Sequence, residues 1–489
     1  MATASARHPE GLKYLFFAEA WERFSFYGMR ALLVLYMTKA FSFDDERAYA
    51  IYGSYTALVY ATPVFGGLIA DKILGFRRAV VLGGVLMAAG HLLMTIETRV
   101  AFYGALALLI AGNGFFKPNI STIVGRLYAP GDPRRDAGFT IFYMGINLGA
   151  FLAPLVCGVL GERYGWHLGF GLAGVGMLIG LAVFLLGQKK IGAAAELVPA
   201  SAGAPGSSMR ELLVYGGTVP AVIVAWQLVQ RTSLVGYILT GLGIVVLIGL
   251  ITYLLRMQDK VARDRMAVAL VLIAVSMVFW AFFEQAGSSM NLFADRNVDR
   301  QLGSWKIDAS VFQAANPAYI LIFGLVFSYL WVKLAKKDLE PSIALKFSLG
   351  ILQLGLGFGA LWVGAIVSRD DGLVGAGWLL LGYLLHTTGE LCVSPIGLSM
   401  ITKLSPPGIV GMMMGTWFLS SAFAQYVASL IAALTGVKGA EGGKTLPPPT
   451  ETVMVYGTVF GQIAIIALVV GLFMTVISPV LSRRTHGVR

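Results

Sequence analysis

Charge and sulfur are both scarce in this chain. Of its 489 residues only 13% are Asp, Glu, Lys or Arg, where a soluble domain carries about 25%. There are two cysteines, Cys157 and Cys392, both in apolar stretches. That excludes a disulfide framework and a cysteine metal site, and both thiols read as inert core groups. No HExxH, no GxSxG and no pair of aspartates within an apolar span occurs, so nothing supplies the metal or nucleophile of a membrane-embedded enzyme. No cofactor is implied. The chain starts short and polar, and its first apolar segment carries four charges, which argues against a cleaved signal peptide.

What is abundant is apolar. Hydrophobic residues make up 57% and glycines number 60, as expected where helices approach closely in lipid. Apolar spans fall near 14–38, 51–71, 77–96, 100–125, 137–160 and 168–187, then near 211–230, 234–255, 265–287, 316–335, 342–367, 373–401, 408–436 and 453–481. Each holds about 20 residues or more, enough to cross a bilayer. The pattern predicts an all-α membrane protein with twelve core helices in two six-helix halves and two inserted helices. The boundaries expected are 1–187 for the first half, 188–210 for a cytoplasmic linker rich in Ala, Gly, Ser and Pro, 211–260 for a peripheral hairpin and 261–489 for the second half.

The net charge of +11 does not point to nucleic acid. With the N-terminus in the cytoplasm, cytoplasmic segments hold 23 of the 37 basic residues, outer segments 11 and spans 3. The positive-inside rule then sets both termini on the cytoplasmic side of a multi-pass plasma membrane.

Phe16 to Arg30, FFAEAWERFSFYGMR, is the exception within the first span. A charge at membrane depth costs about 2.5–3.5 kcal/mol even on lenient scales, so four in fifteen residues need a shared reason. At about 100° per residue, Glu19, Glu22, Arg23, Phe26, Tyr27 and Arg30 share an arc of roughly 140°. Glu19 and Arg23 are i,i+4 with the acid first, the favourable order for an ion pair. A structural ion cluster would account for this; a stripe lining a polar cavity accounts for it better, because ionisable groups inside membranes mark substrate and proton paths.

Three further spans add Lys117, Glu284 and Glu390. Four acids then face three bases at depth, and a buried acid without a counter-charge favours binding a proton. Asn113, Lys117 and Ser121 share one face, with Pro118 loosening the backbone beside the lysine. Trp280 and Phe283 precede Glu284. His386 and Glu390 are i,i+4, with Ser394 a turn later; the histidine reads as packing. Tyr52, Thr56 and Tyr60, Tyr143 and Asn147, Asn316-Pro317 and Trp417 punctuate other spans. The Asn119-Ile-Ser121 triplet carries no glycosylation meaning inside a membrane helix.

These stretches carry a resemblance. EAWERFSFY, from Glu19 to Tyr27, resembles the ExxERFxYY motif of the proton-dependent oligopeptide transporters, the POT or PTR family. FFKPNIST, FYMGINLGA, FWAFFEQ and GELCVSPIGLS resemble its other helix motifs, and the two extra central helices resemble prokaryotic members. GLIADKILGFRR, from Gly67 to Arg78, is similar to the loop motif of the major facilitator superfamily, with Gly permitting close helix contact. The resemblance implies that Arg23 and Lys117, with Tyr27 nearby, hold a peptide carboxylate. Glu390, Asn147 and Asn316 would receive its ammonium, and Tyr60, Trp280, Phe283, Ser394 and Trp417 would line side-chain pockets. Glu19, Glu22 and Glu284 are the implied proton-coupling groups, and Lys117 with Glu390 and Arg30 with Glu284 the implied gates. Phe26 departs from the motif's first tyrosine, so a hydroxyl contact is lost. Span two has no histidine where animal members carry one, which shifts coupling onto carboxylates.

The expected function is therefore proton-coupled import of di- and tripeptides by alternating access, with membrane lipid as surroundings, no metal, no nucleic acid and no obligate protein partner. A dipeptide's termini lie about 7 Å apart at ~3.8 Å per residue, which suits cations at one end of a site and an acid at the other. A channel fits less well with two opposed charged gates. A relative carrying another small solute, such as nitrate, is the alternative, and the intact Glu390 argues against an anion cargo.

Overall fold

The computed structural model describes residues 7–196, 207–437 and 446–488. Fourteen long helices follow one another: α1 (Gly11–Lys39), α2 (Asp45–Leu74), α3 (Phe76–Leu93), α4 (Arg99–Arg126), α5 (Arg135–Tyr164), α6 (Trp166–Leu186), α7 (Met209–Gln230), α8 (Thr232–Arg256), α9 (Lys260–Arg296), α10 (Ala309–Ala335), α11 (Ile343–Val367), α12 (Ala376–Leu404), α13 (Pro407–Ala433) and α14 (Pro449–Arg484). Twelve of them, all but α1 and α12, are apolar enough along a membrane-length window to cross a bilayer. The other two are single 29-residue helices, about 43 Å long at 1.5 Å per residue. This is a multi-pass membrane protein.

Helices overrun the apolar spans by a few residues because polar groups finish their ends. Thr98 caps α4 by accepting from the Ala101 amide at 3.3 Å, Asp259 caps α9 from Val261 at 2.9 Å, and Ser342 caps α11 from Leu345 at 3.3 Å. Each satisfies an amide that the first turn leaves without a partner. Of the expected linker, a short helix, Gln188–Ile191, begins it, and residues 197–206 lie outside the described residues.

Two compact units form. Met1–Leu33 and Leu58–Arg231 make the first, Val34–Ala57 and Thr232–Arg489 the second. In the first, α3 packs along α4 and α6, and α4 also receives α2 and α7. In the second, α11 packs along α14 and α12, and α13 receives α9 and α8. The inserted pair thus divides, α7 on α4 and α8 on α13, with Arg231 alone joining the two helices. Ile322, Leu325 and Val326 stand exposed on α10.

Close crossings position the charged stretch. Pro118 has no amide to give the Gly114 carbonyl four residues earlier, and the backbone of Gly66 lies against that oxygen, so near that a methyl on Gly66 would sit 2.0 Å from it. Thr62 Oγ1 donates to the Ile110 carbonyl at 3.1 Å, and Asn119 Nδ2 donates to the carbonyls of Phe115 (2.7 Å) and Gly66 (3.4 Å). The triplet that looks like a glycosylation acceptor is a helix-crossing device. This corrects one expectation: the close contact belongs to Gly66, whereas a methyl on Gly67 would meet only Pro118, at 3.7 Å. On the other side of α1, a methyl on Gly149 of α5 would fall 2.0 Å from the Ala20 carbonyl.

Candidate substrate and proton site

Within the first unit, α1 buries its charges among themselves. Arg23 is 3% exposed, Glu19 2% and Glu22 not at all. Arg23 Nη2 donates to Glu22 Oε1 at 2.6 Å, its Nε also reaches Glu22 Oε2, and that Nε lies 3.3 Å from Glu19 Oε1. A planar fork makes such a two-oxygen contact, which an ammonium cannot. The Arg23 guanidinium stands 5.1 Å from the centre of the Phe26 ring. The missing hydroxyl at Phe26 therefore leaves a cation–π contact in place. One turn on, Arg30 stands 5.7 Å over the Tyr27 ring.

Lys117, on α4, places Nζ 4.9 Å over the Tyr60 ring of α2. Ser121 turns back to the Lys117 carbonyl at 3.2 Å, so it serves the helix rather than a ligand. Asn147 of α5 is buried, its Nδ2 donating to the Tyr143 carbonyl at 2.9 Å, which leaves its oxygen for another donor. The deep groups of this unit are three cations and two carboxylates.

Within the second unit the charges expected inside apolar spans are two carboxylates, Glu284 and Glu390. Glu390 is 8% exposed and accepts from Asn316 Nδ2 at 2.9 Å; the same amide lies 3.0 Å from the Thr387 hydroxyl. Asn316 sits in the first turn of the helix Ala315–Ala335, and Thr387 donates to the Tyr383 carbonyl at 2.6 Å. Glu284 is buried where α9 breaks into a 3₁₀ turn, Glu284–Gly287. Trp280 and Phe283 meet edge to face at 5.3 Å, and Phe279 stacks on Phe283 at 5.6 Å. Ser394 is half-buried. The indole of Trp417 lies on Gly397, where an added methyl would come within 2.4 Å of it. His386 is buried and packs 4.4 Å from the Phe358 ring, with its Nε2 unpartnered among the described residues.

Some buried charge escaped the sequence. Asp45 and Arg296 form a buried pair with two hydrogen bonds of 2.6 and 2.7 Å, and Asp45 also accepts the Val437 amide at 2.9 Å. Arg296 reaches Tyr456 Oη at 3.1 Å as well. Nothing in residue spacing signals a pair 251 positions apart.

A family model described as the POT family matches residues 77–446. The chain belongs to the POT family. Among its relatives, an uncharacterized transporter of Bacillus subtilis, YclF, is 39% identical over 98% of this chain and 96% of its own. Dipeptide and tripeptide permease B of Photorhabdus asymbiotica is 32% identical over 98% and 97%. A crystal structure of a peptide transporter POT in complex with sulfate is 40% identical over 99% of this chain and 97% of that one, with a TM-score of 0.81. The fold is that of POT transporters, a major facilitator superfamily architecture.

Proposed function

We propose that this chain is a proton-coupled symporter importing di- and tripeptides by alternating access. The observation that carries the reading is the division of deep charge: cations outnumber acids in the first unit, while the second has Glu390, held by Asn316, and Glu284. A zwitterion offers each set what it lacks. Its carboxylate goes to Arg23 and Lys117, with Tyr27 beside them, and its ammonium to Glu390 with Asn316 and Asn147. Tyr60, Trp280, Phe283, Ser394 and Trp417 take side chains; charge contacts to the termini ignore side-chain identity and roomy aromatic pockets tolerate it, so broad specificity follows. Relatives named for dipeptide and tripeptide transport support this substrate class.

Arg23 is committed to Glu22 in this state. Protonating Glu22 ends the charge pairing and frees the fork for the peptide carboxylate, which makes cargo and proton cooperate. Glu19 and Glu284 are the other coupling carboxylates. Pairing of Lys117 with Glu390 and of Arg30 with Glu284 closes alternate sides in the cycle. The N- and C-termini face the cytoplasm, as the basic loops require, in the inner membrane of a prokaryote. Protein purified into proteoliposomes tests this: dialanine added under an inward proton gradient acidifies the lumen and accumulates intact. Proton flux with nitrate and none with dialanine would assign the chain to another solute.

A further inference from the structure

Where α1 begins, a groove of about 410 Å³ opens beside α5. Its walls are Leu12, Phe16 and Phe17 of α1 with Ile141 of α5, and His8, Glu10 and Lys13 form its rim. Phe17 is 51% exposed. It meets the Phe16 ring edge to face at 5.1 Å. Phe16 in turn lies on Gly145 of α5, where an added methyl would come within 2.9 Å of the ring. The floor is therefore fixed while one wall stays open. None of the residues assigned above to peptide or proton lines this groove.

The apolar surface continues along α5. At about 100° per residue, Ile141, Met144, Leu148 and Leu152 fall within an arc of about 80°, and the last three are exposed. Asn147, which is buried, falls outside that arc. From Ile141 to Leu152 the helix rises about 16 Å at 1.5 Å per residue, close to one leaflet of a hydrocarbon core about 30 Å thick. The rim at the other end is cationic. Glu10 is the one acid lining the groove among the described residues, and Lys190 holds it at 2.6 Å. His8 is bonded to Tyr128 Oη at 2.9 Å. Lys13 is exposed, stands 5.2 Å from the centre of the Tyr14 ring and has no ion pair among the described residues. A cation without a counter-charge thus sits above an apolar trough that runs one leaflet deep.

We propose that this groove binds an acidic glycerophospholipid from the leaflet at the start of α1. Its phosphate sits at Lys13, and one acyl chain passes between Phe17 and Ile141 and runs down the α5 stripe. Basic pockets between membrane helices are where acidic headgroups collect. A choline headgroup brings an ammonium that Lys13 repels, so net negative lipids are selected. The bound lipid bridges α1 and α5 and touches no residue of the peptide site, so the inference stands apart from the symport reading.

Native mass spectrometry of the full chain, released from a maltoside micelle, counts the lipid retained. The wild type keeps one phosphatidylglycerol at a concentration where phosphatidylcholine is largely lost. Lys13→Gln lowers phosphatidylglycerol retention about fivefold, the effect of one basic residue at an anionic headgroup, and Lys13→Arg restores it. Phe17→Ala lowers it as well. Both side chains are exposed, so the lipid-free melting temperatures stay at the wild-type value. Lys337→Gln, at an exposed lysine between α10 and α11, leaves retention unchanged. Equal retention of the two lipids by the wild type overturns the proposal. So does undiminished retention in Lys13→Gln, or a loss there that Lys337→Gln matches, which general surface charge would give. Lipid-free dimers that Phe17→Ala turns into monomers would assign the groove to a second copy of this chain and overturn it too.

Discussion

Arg23 holds Glu22 with two of its nitrogens, Nη2 at 2.6 Å from Oε1 and Nε on Oε2, and neither side chain meets solvent. An arginine so placed is a switchable ligand, because its partner is an acid that a proton can neutralise. Arg23→Lys keeps the charge and removes the fork. One charge-assisted hydrogen bond lost is about 1.5–3 kcal/mol, so dialanine affinity should fall roughly 10- to 100-fold, and uptake with it. Isothermal titration in detergent beside proteoliposome uptake measures both. Wild-type affinity in this variant would remove Arg23 from the substrate site.

Glu390 accepts from Asn316 at 2.9 Å, a bond that glutamine can keep through its own carbonyl. Glu390→Gln therefore preserves the local geometry and removes only the charge. Dialanine should bind at least 10-fold more weakly, in line with the loss of a hydrogen bond to a charged group. N-acetyl-dialanine, which has no ammonium, should bind the wild type and the variant alike. A double-mutant cycle between residue and ligand isolates the term, and equal losses for both ligands would show that Glu390 does not read the N-terminus.

Asp45 and Arg296 join the start of α2 to the end of α9 within the second unit, both buried. Removing one member of such a pair leaves an uncompensated charge at a cost of about 3–5 kcal/mol, while replacing both with apolar groups is far milder. Asp45→Ala should lower the melting temperature of the detergent-solubilised protein markedly. Asp45→Leu combined with Arg296→Met should recover most of the loss. If the double replacement melts as low as the single one, the pair is not the source of the stabilisation.

How much of this was legible in the chain follows from the range of each signal. Hydrophobic runs and helical periodicity are local, so all fourteen helices were readable, as was the clustering of Glu19, Glu22, Arg23, Phe26, Tyr27 and Arg30 on one arc. The i,i+4 contact of Glu19 with Arg23 followed directly. That Arg23 turns its fork to its neighbour Glu22 did not, because adjacent residues on a helix do not face each other, and only a long side chain folding back makes the bond. Asn316 and Glu390 were associated through motif resemblance alone; their 2.9 Å contact depends on two helices 74 positions apart. The Asp45–Arg296 pair was invisible for the same reason. Phe26 was read as a lost hydroxyl, and the ring's place beneath Arg23 needed three dimensions.

Gly66 and Gly67 are neighbours with opposite tolerances. A methyl on Gly66 would lie 2.0 Å from the Gly114 carbonyl oxygen and 2.9 Å from the Phe115 amide, both backbone, which no rotamer can relieve. The methyl of Gly67→Ala would meet only the Pro118 ring, at 3.7 Å, an ordinary contact. Gly66→Ala must push α2 from α4, stretching the Thr62–Ile110 and Asn119–Gly66 hydrogen bonds. It also moves Tyr60, less than two turns away, off Lys117. The expected result is a lower melting temperature together with weakened dialanine binding for Gly66→Ala, and near wild-type values of both for Gly67→Ala. Overpacking of this kind typically costs about 1–3 kcal/mol, enough to separate the two variants in a thermal melt. Equal behaviour of the pair would mean that the α2–α4 crossing does not depend on the contact at Gly66, and that the position of Tyr60 over Lys117 is set elsewhere.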